Sequence, residues 1–445
     1  MKNRILLLSI LVCCLCFQTM GQISMIETGC PPVKGYDITV TNANLPNDTF
    51  YLTGNRGCNI IILDKAVPKK GVLRFKNKKS VIPSGIYTIS RHYNNHFSLS
   101  DPDTCLNVVI NLSNKMQARW TGNGYTIDSN PESAILYTFS KRWATSAAAC
   151  DPTELSKLLE EYVTPSPKSF VSKYIMSHAG WFANNDTRIL TCHDAIKDLP
   201  YTDLSDPRML HAPCNLYYFI PGFSDCEIYD TYSTQAFVDS VLVQCTTPSL
   251  RSYFTGYFFG MLDQHNPDYD PVLVHLYDKY DHSWIEEGYE NRFKRKIDNL
   301  RKIIPGAKMP VLISHDADGK EHSTNEIQSK YTVLWFWDPD CDHCQEYTPI
   351  LHQMYQEHAE DWNFEVFAVE INNDHDRWIT FSDINELWDW TNLSTSMGEP
   401  NLDFIEYFDI MTTPVMFLID NSQDHTIIKR QITLNELRDF LSTNN

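Results

Sequence analysis

The sequence predicts a multidomain chain in which an antiparallel β-sandwich-like domain is followed by a mostly α-helical domain and then by a C-terminal α/β domain. Three observations predict it. Short β-branched and aromatic runs, separated by Gly, Pro, Asn and Asp, fill residues 23 to about 140. Apolar stripes at three- and four-residue spacing occupy about 145 to 300, and strand-like blocks alternate with helical ones from about 306 onward. The expected boundaries are 1–21 for a signal peptide, 22–142 for the β-rich domain, 143–304 for the helical domain and 305–445 for the α/β domain.

Export is read from the start of the chain. Lys2 and Arg4 precede an apolar run from Ile5 to Phe17, and Gln18-Thr-Met-Gly21 supplies a small-residue exit. That pattern is a secretory signal, too short to span a bilayer, with cleavage expected after Gly21. The expected location is the periplasm or cell envelope. A lipoprotein anchor is disfavoured, because Val12, Cys13 and Leu15 stand before the early cysteines where a small residue is required. No other stretch reads as a transmembrane segment. Of thirteen cysteines, Cys13, Cys14 and Cys16 fall in the signal. The exported chain keeps Cys30, Cys58, Cys105, Cys150, Cys192, Cys214, Cys226, Cys245 and one C-x-x-C pair. In an oxidising compartment some of these eight outlying cysteines are expected in disulfides whose pairing the sequence does not specify; the alternative is buried apolar thiols.

In the first zone, strands are expected at Tyr36–Val40, Phe50–Thr53, Asn59–Leu63, Val72–Phe75, Ile86–Ser90 and Val108–Leu112, with no catalytic constellation among them. The second zone opens with a capped helix at Thr153–Tyr162 and carries stripes at Ala236–Val243 and Val272–Tyr280. Its many Tyr and Phe residues are core. His178, His193, His211 and His275 are scattered, without H-E-x-x-H pairing.

The third zone carries the chemistry. Tyr331-Thr-Val-Leu-Trp-Phe-Trp337 reads as a buried strand, and Gln345 to Tyr355 places Ile350, Leu351, Met354 and Tyr355 at helical spacing. Between them stands Cys341-Asp342-His343-Cys344. A cysteine at a helix N-terminus meets orphan N–H groups and the positive end of the helix dipole, both of which stabilise a thiolate. The second cysteine lies one turn on, within reach of a disulfide. A zinc site needs four ligands, and no second C-x-x-C or H-x-x-x-H supplies them. Asp338, Asp340 and Asp342 look like the start of a calcium loop, but His343 and Pro349 stand where that loop needs Gly and Glu. No metal and no cofactor are expected. Further strands are expected at Asn363–Glu370, at the end of Tyr407–Asp420 and around Ile427-Ile428, with helices at Phe381–Trp390 and Leu434–Leu441.

Charge is unevenly distributed. The net charge is −19, and residues 305–445 hold 7 Lys/Arg against 26 Asp/Glu, so that segment carries all of it. Such a surface repels nucleic acid and anionic lipid and favours neutral or basic protein partners.

Leu334-Trp-Phe-Trp-Asp-Pro-Asp-Cys-Asp-His-Cys344, followed some seventy residues later by Thr412-Thr-Pro-Val-Met-Phe-Leu418, resembles the thioredoxin fold of TlpA/ResA-like thiol–disulfide oxidoreductases of the bacterial envelope. The resemblance covers about 140 residues. More weakly, the upstream part is similar to the β-rich and helical domains of unknown function in Bacteroides-type envelope proteins, most clearly at Leu204-Ser-Asp-Pro-Arg-Met-Leu210. The resemblance implies Cys341 as nucleophile, Cys344 as resolving thiol and Pro414 as a cis-proline. It implies that Thr413, Pro414 and Trp337 contact substrate, with Thr413 offering backbone to an extended segment. The implied partners are proteins with thiols or disulfides, together with a thiol protein that donates or accepts electrons.

Departures from the family pattern concern the proton relay. Trp335 occupies the register of the buried acid on the strand before the motif, and Tyr347 stands where ResA-like members favour Glu. Glu346 and Glu370 are the remaining relay candidates. Asp342 and His343 tune the motif: a protonated His343 favours the Cys341 thiolate, whereas each nearby Asp opposes it by up to about 1 kcal/mol at short range in water. A peroxiredoxin is excluded because the P-x-x-x-[TS]-x-x-C arrangement is absent. The competing reading is a non-enzymatic envelope scaffold with a redox-inactive module, favoured by the missing relay acid and opposed by the intact cysteine pair.

Overall fold

The structure, a computed structural model, describes residues 30–57, 59–91, 105–122, 124–145, 152–183, 203–213, 231–263 and 267–444. The expected signal peptide and Cys58, Cys150, Cys192, Cys214 and Cys226 lie outside them. The chain divides into two compact units, Met1–Met261 and Leu262–Asn445.

The first unit begins with β1 (Pro32–Thr41), β2 (Phe50–Arg56), β3 (Asn59–Ala66), β4 (Val72–Pro83), β5 (Gly85–Ser90), β6 (Leu106–Ile110), β7 (Lys115–Trp120) and β8 (Tyr125–Ser129). They form two four-stranded sheets, ordered β4-β1-β7-β8 and β3-β2-β5-β6. The period of two is plain in β1, where Tyr36, Ile38 and Val40 are buried while Asp37 reaches Arg74 on the neighbouring strand at 2.8 Å. Pairing is antiparallel except that β1 runs parallel to β7. The second sheet is interposed between them in sequence, which provides the long connection a parallel pair needs. Among the described residues, the expected strands are all present, and β7 and β8 are additional.

Helices α1 (Pro131–Thr145), α2 (Pro152–Tyr162), α3 (Phe170–Ala183), α4 (Thr231–Gln244) and α5 (Pro248–Leu262) follow. The expected break at 142/143 lies inside α1. Ile86 of β5 and Val109 of β6 share one core with Leu136, Phe139, Leu158, Phe170 and Ile175 from the helices, so the β and helical zones bury apolar area against each other. Leu204–Leu210 forms a structural turn. Asp206 caps the short helix Pro207–His211 by accepting from the Arg208 N–H at 3.1 Å and also pairs with Lys173 at 3.0 Å.

The second unit contains α6 (Asp270–Lys279) and α7 (Glu290–Ile303), which sequence patterning groups with the helical zone. Then come β9 (Ile313–His315), β10 (Glu321–Ser323), β11 (Tyr331–Trp337), α8 (Asp342–His358), β12 (Phe364–Glu370), α9 (His375–Ile384), β13 (Thr391–Ser394), α10 (Phe404–Tyr407), β14 (Val415–Asp420), β15 (Thr426–Arg430) and α11 (Leu434–Asn444). One mixed sheet runs β10-β9-β13-β12-β11-β14-β15. All seven residues of β11 are buried, as a strand covered on both faces requires. Its odd residues, Tyr331, Val333, Trp335 and Trp337, join a core with Cys344, Leu351 and Met354 of α8 and Leu437 and Leu441 of α11. On the other face, Phe336 packs on Phe404, Phe408 and Phe417.

Two expectations shift. The helix expected at Phe381–Trp390 runs instead from His375 to Ile384, because Asp374 caps it by accepting from the Arg377 N–H at 3.2 Å. On α8, Ile350 is 39 % exposed, and the buried face is carried by Cys344, Thr348, Leu351, His352 and Met354.

Candidate active site

Strand register assembles the site. β11 lies parallel to β12, with Trp337 opposite Glu370, and antiparallel to β14, with Phe336 opposite Val415. The C-terminal end of β11 is therefore flanked by Glu370 on one side and by Thr413-Pro414 on the other. The Thr413–Pro414 peptide bond is cis, the isomer that the family resemblance implies. Chain leaving β11 turns through Asp338–Asp340 and enters α8, whose N-cap is Cys341. The turn is pinned: Asp340 N–H donates to Asp338 Oδ1 at 2.8 Å, Gln345 Nε2 donates to the Pro339 carbonyl at 2.8 Å, and Arg377 pairs with Asp340.

The two thiols are held differently. Cys341 is half-buried, and its Sγ donates to the Thr413 carbonyl at 3.2 Å. Burial works against its thiolate, but hydrogen bonds from the Thr413 side chain, the Cys344 and His343 N–H groups and the Cys344 thiol outweigh it. Its pKa falls below the ordinary thiol value. Cys344 is fully buried, and burial pushes its thiol up to about 12, although Asp338 N–H donates to its Sγ at 3.5 Å. Both cysteines are free in this structure.

The expected relay residues separate. Glu346 is exposed on α8. Glu370 is fully buried; Ser394 Oγ donates to its Oε2 and the Asn372 N–H to its Oε1, each at 2.5 Å. Burial raises its pKa, the Asp338 charge adds to that, and the Ser394 hydroxyl and Asn372 N–H offset part of it. Asn372 also donates through Nδ2 to Asp338 Oδ1 at 3.3 Å, and burial raises the Asp338 carboxyl as well. A linked path thus runs from Glu370 through Asn372 to Asp338, whose own N–H touches Cys344. The spacing of Asp338 signalled only charge near the motif. Asn372 and Ser394 carried no signal, because the sheet brings them in from loop and strand ends far along the chain.

Trp337 requires correction as a substrate contact. It is fully buried and packs on Phe381 with ring centroids 5.3 Å apart, because an odd residue of β11 faces the core. Trp335, in the register of the expected acid, donates from Nε1 to Thr348 Oγ1 at 3.2 Å and ties β11 to α8. Asp342 and His343 are exposed in the first turn of α8, and the His343 ring stacks on Tyr347 at 5.9 Å. The contribution of His343 to the Cys341 thiolate comes through its backbone N–H.

A family model described as thioredoxin-like matches residues 328–425, less than a quarter of the chain. Among solved structures, a domain of a possible thiol-disulfide isomerase from Cytophaga hutchinsonii is 31 % identical, covering 32 % of this chain and 92 % of that one, with TM-score 0.29. The thioredoxin domain of a thiol-disulfide oxidoreductase from Bacteroides vulgatus is 20 % identical, covering 32 % and 97 %, with TM-score 0.28. A thioredoxin-like protein from Bacteroides caccae is 14 % identical over 72 % of this chain and 95 % of its own, with TM-score 0.38. No curated protein matches the chain. The protein is multidomain, with a C-terminal thioredoxin-like domain that follows β-rich and helical regions in the chain. No helix among the described residues is long and apolar enough to cross a membrane.

Proposed function

We propose that the chain is a protein thiol–disulfide oxidoreductase of the cell envelope working through Cys341 and Cys344. The asymmetry of the two thiols carries this reading: one is half-exposed with a lowered pKa, the other fully buried and raised to about 12. The Cys341 thiolate attacks one sulfur of a substrate disulfide. That S–S bond breaks, and the departing thiolate takes up a proton. Cys344 then loses its proton and attacks Cys341 Sγ, releasing the second substrate thiol. Two electrons pass from the dithiol to the substrate, and the reverse sequence oxidises a dithiol substrate. Thr413 and Pro414 hold an extended substrate segment beside Cys341. Glu370, with Asp338 and Asn372 between it and the motif, takes the Cys344 proton; exposed Glu346 does not. The scaffold alternative rests on a missing relay acid, and the buried Glu370, linked through Asn372 to Asp338, weighs against it. The signal-like start of the sequence supports envelope location, where a second thiol protein supplies or removes electrons.

An insulin-reduction assay with Cys341→Ala as control, followed by the reduction potential against glutathione, tests the reading. No turnover from a protein whose pair dithiothreitol cannot reduce sinks it.

A further inference from the structure

We propose that the face around Cys341 selects extended cysteine-bearing segments in which Lys or Arg stands beside an apolar residue, a specificity that rests on the thiol–disulfide reading above. Two independent features of that face point the same way. The first is charge: Asp342 and Glu346 are exposed within the first turns of α8, and among the described residues neither has an ion-pair partner. The nearby cation Arg377 is already committed to Asp340 and Asp374. His343, the other basic group on the motif, is stacked on Tyr347. The surrounding segment 305–445, with its 26 acidic against 7 basic residues, extends the same sign outward. Such a field concentrates basic segments at the thiol and slows acidic ones, increasingly so at low ionic strength.

The second feature is apolar. Met411 is 85 % exposed two residues before Thr413, whose carbonyl meets Cys341 Sγ at 3.2 Å. On the helix side, Tyr347 is 36 % and Ile350 is 39 % exposed, three residues apart and so on one face of α8. An extended segment lying along Thr413 projects alternate side chains to opposite sides. One set can meet Met411 while the other meets the carboxylates of α8. A cysteine flanked by one basic and one apolar residue matches both.

The test uses the pre-reduced full chain in single turnover, with pre-reduced Cys341→Ala as the blank, so that reduction by the Cys341/Cys344 dithiol is read above that of the other thiols. Three peptides, each joined to a fluorophore through a disulfide at a central cysteine, carry Lys and Leu, Glu and Leu, or Lys and Ser beside it. Hydroxyethyl disulfide is the small uncharged reference. At low salt the Lys/Leu peptide is expected to react about tenfold faster than Glu/Leu, the gap closing to within about twofold in 0.5 M NaCl as the Debye length contracts. Glu346→Gln narrows the low-salt gap. Lys/Leu is expected to outpace Lys/Ser about threefold, a margin consistent with partial burial of one side chain, and Met411→Ser removes that margin. Equal rates for all three peptides, with hydroxyethyl disulfide reduced normally, overturn the specificity alone. No reaction with any disulfide, the small one included, overturns both it and the exchange chemistry beneath it.

Discussion

Cys245, in the first unit just after α4, and Cys344, in α8 of the second, are both fully buried, and burial pushes both thiols up to about 12. Their surroundings differ. Cys245 follows the last turn of its helix, and its carbonyl accepts from Arg251 Nη2 at 3.0 Å. Cys344 lies in the first turn of its helix, beside a second thiol with a lowered pKa, with the Asp338 N–H on its sulfur and the buried Glu370 carboxylate linked to it through Asn372 and Asp338. Burial by itself yields an inert thiol. In the proposed reaction, burial behind a neighbour with a lowered pKa suits a thiol to the resolving step.

The largest expected effect separates these two thiols outright. Cys341→Ala abolishes disulfide exchange in the insulin assay, while Cys245→Ala leaves the rate within about twofold, as expected for a thiol outside the reacting pair. Equal losses would erase the contrast. Cys344→Ala gives a different signature: the first attack proceeds and the mixed disulfide persists, so gel or mass analysis under non-reducing conditions finds the protein joined to its substrate.

Alkylation measures the same asymmetry without substrate. A thiolate, not a thiol, reacts with iodoacetamide, and each pKa unit changes the thiolate fraction at neutral pH tenfold. Cys341 is lowered, whereas Cys344 and Cys245 stand near 12. At pH 7 Cys341 is expected to be modified at least about a hundredfold faster than either, read by peptide mapping. Comparable modification of Cys341 and Cys344 contradicts the division of roles.

Glu370 tests the proton path with two opposite signs. Its folded pKa is raised above the unfolded value, so its contribution to stability is full below the unfolded value and is lost as pH rises through the folded one. At neutral pH the buried carboxylate costs stability, and Glu370→Gln, which keeps the shape and can still accept from Ser394, raises the melting temperature of the second unit. The same substitution removes the proposed proton acceptor, so release of substrate from the mixed disulfide is expected to slow by about ten- to a hundredfold. A variant that is stabilised yet equally fast at that step exonerates Glu370, and Asp338→Asn then becomes the decisive substitution.

What the sequence made legible follows from where each signal is written. Tyr331–Trp337, Cys341–Cys344 and Thr413-Pro414 stand out because local composition alone sets strand, helix N-terminus and turn. Strands β9, β10 and β13 escaped because they are three or four residues long and largely polar, stabilised by neighbours rather than by their own pattern. Trp337 was misjudged because proximity to the motif does not reveal which face of β11 a residue takes. The Glu370–Asn372–Asp338 link was invisible for a related reason: it exists only once Trp337 and Glu370 are paired across two strands.

The smallest expected effect returns to the two buried thiols and asks what each site does with a hydroxyl. Serine is nearly isosteric with cysteine but must satisfy a polar oxygen, and leaving one unpaired in a core costs about 1–3 kcal/mol. At position 344 the Asp338 N–H already points at the side-chain atom, so Cys344→Ser keeps a donor. At position 245 no such donor meets the sulfur among the described residues, and the hydroxyl must compete for the Val241 carbonyl, which already accepts the Cys245 N–H at 3.3 Å. Cys245→Ser is therefore expected to lower the melting temperature of its unit by more than Cys344→Ser lowers that of the other, by a few degrees in differential scanning calorimetry. The reverse order would mean that Cys344 is buried by packing alone, and that the Asp338 N–H contributes nothing to holding a charged or polar atom at that position.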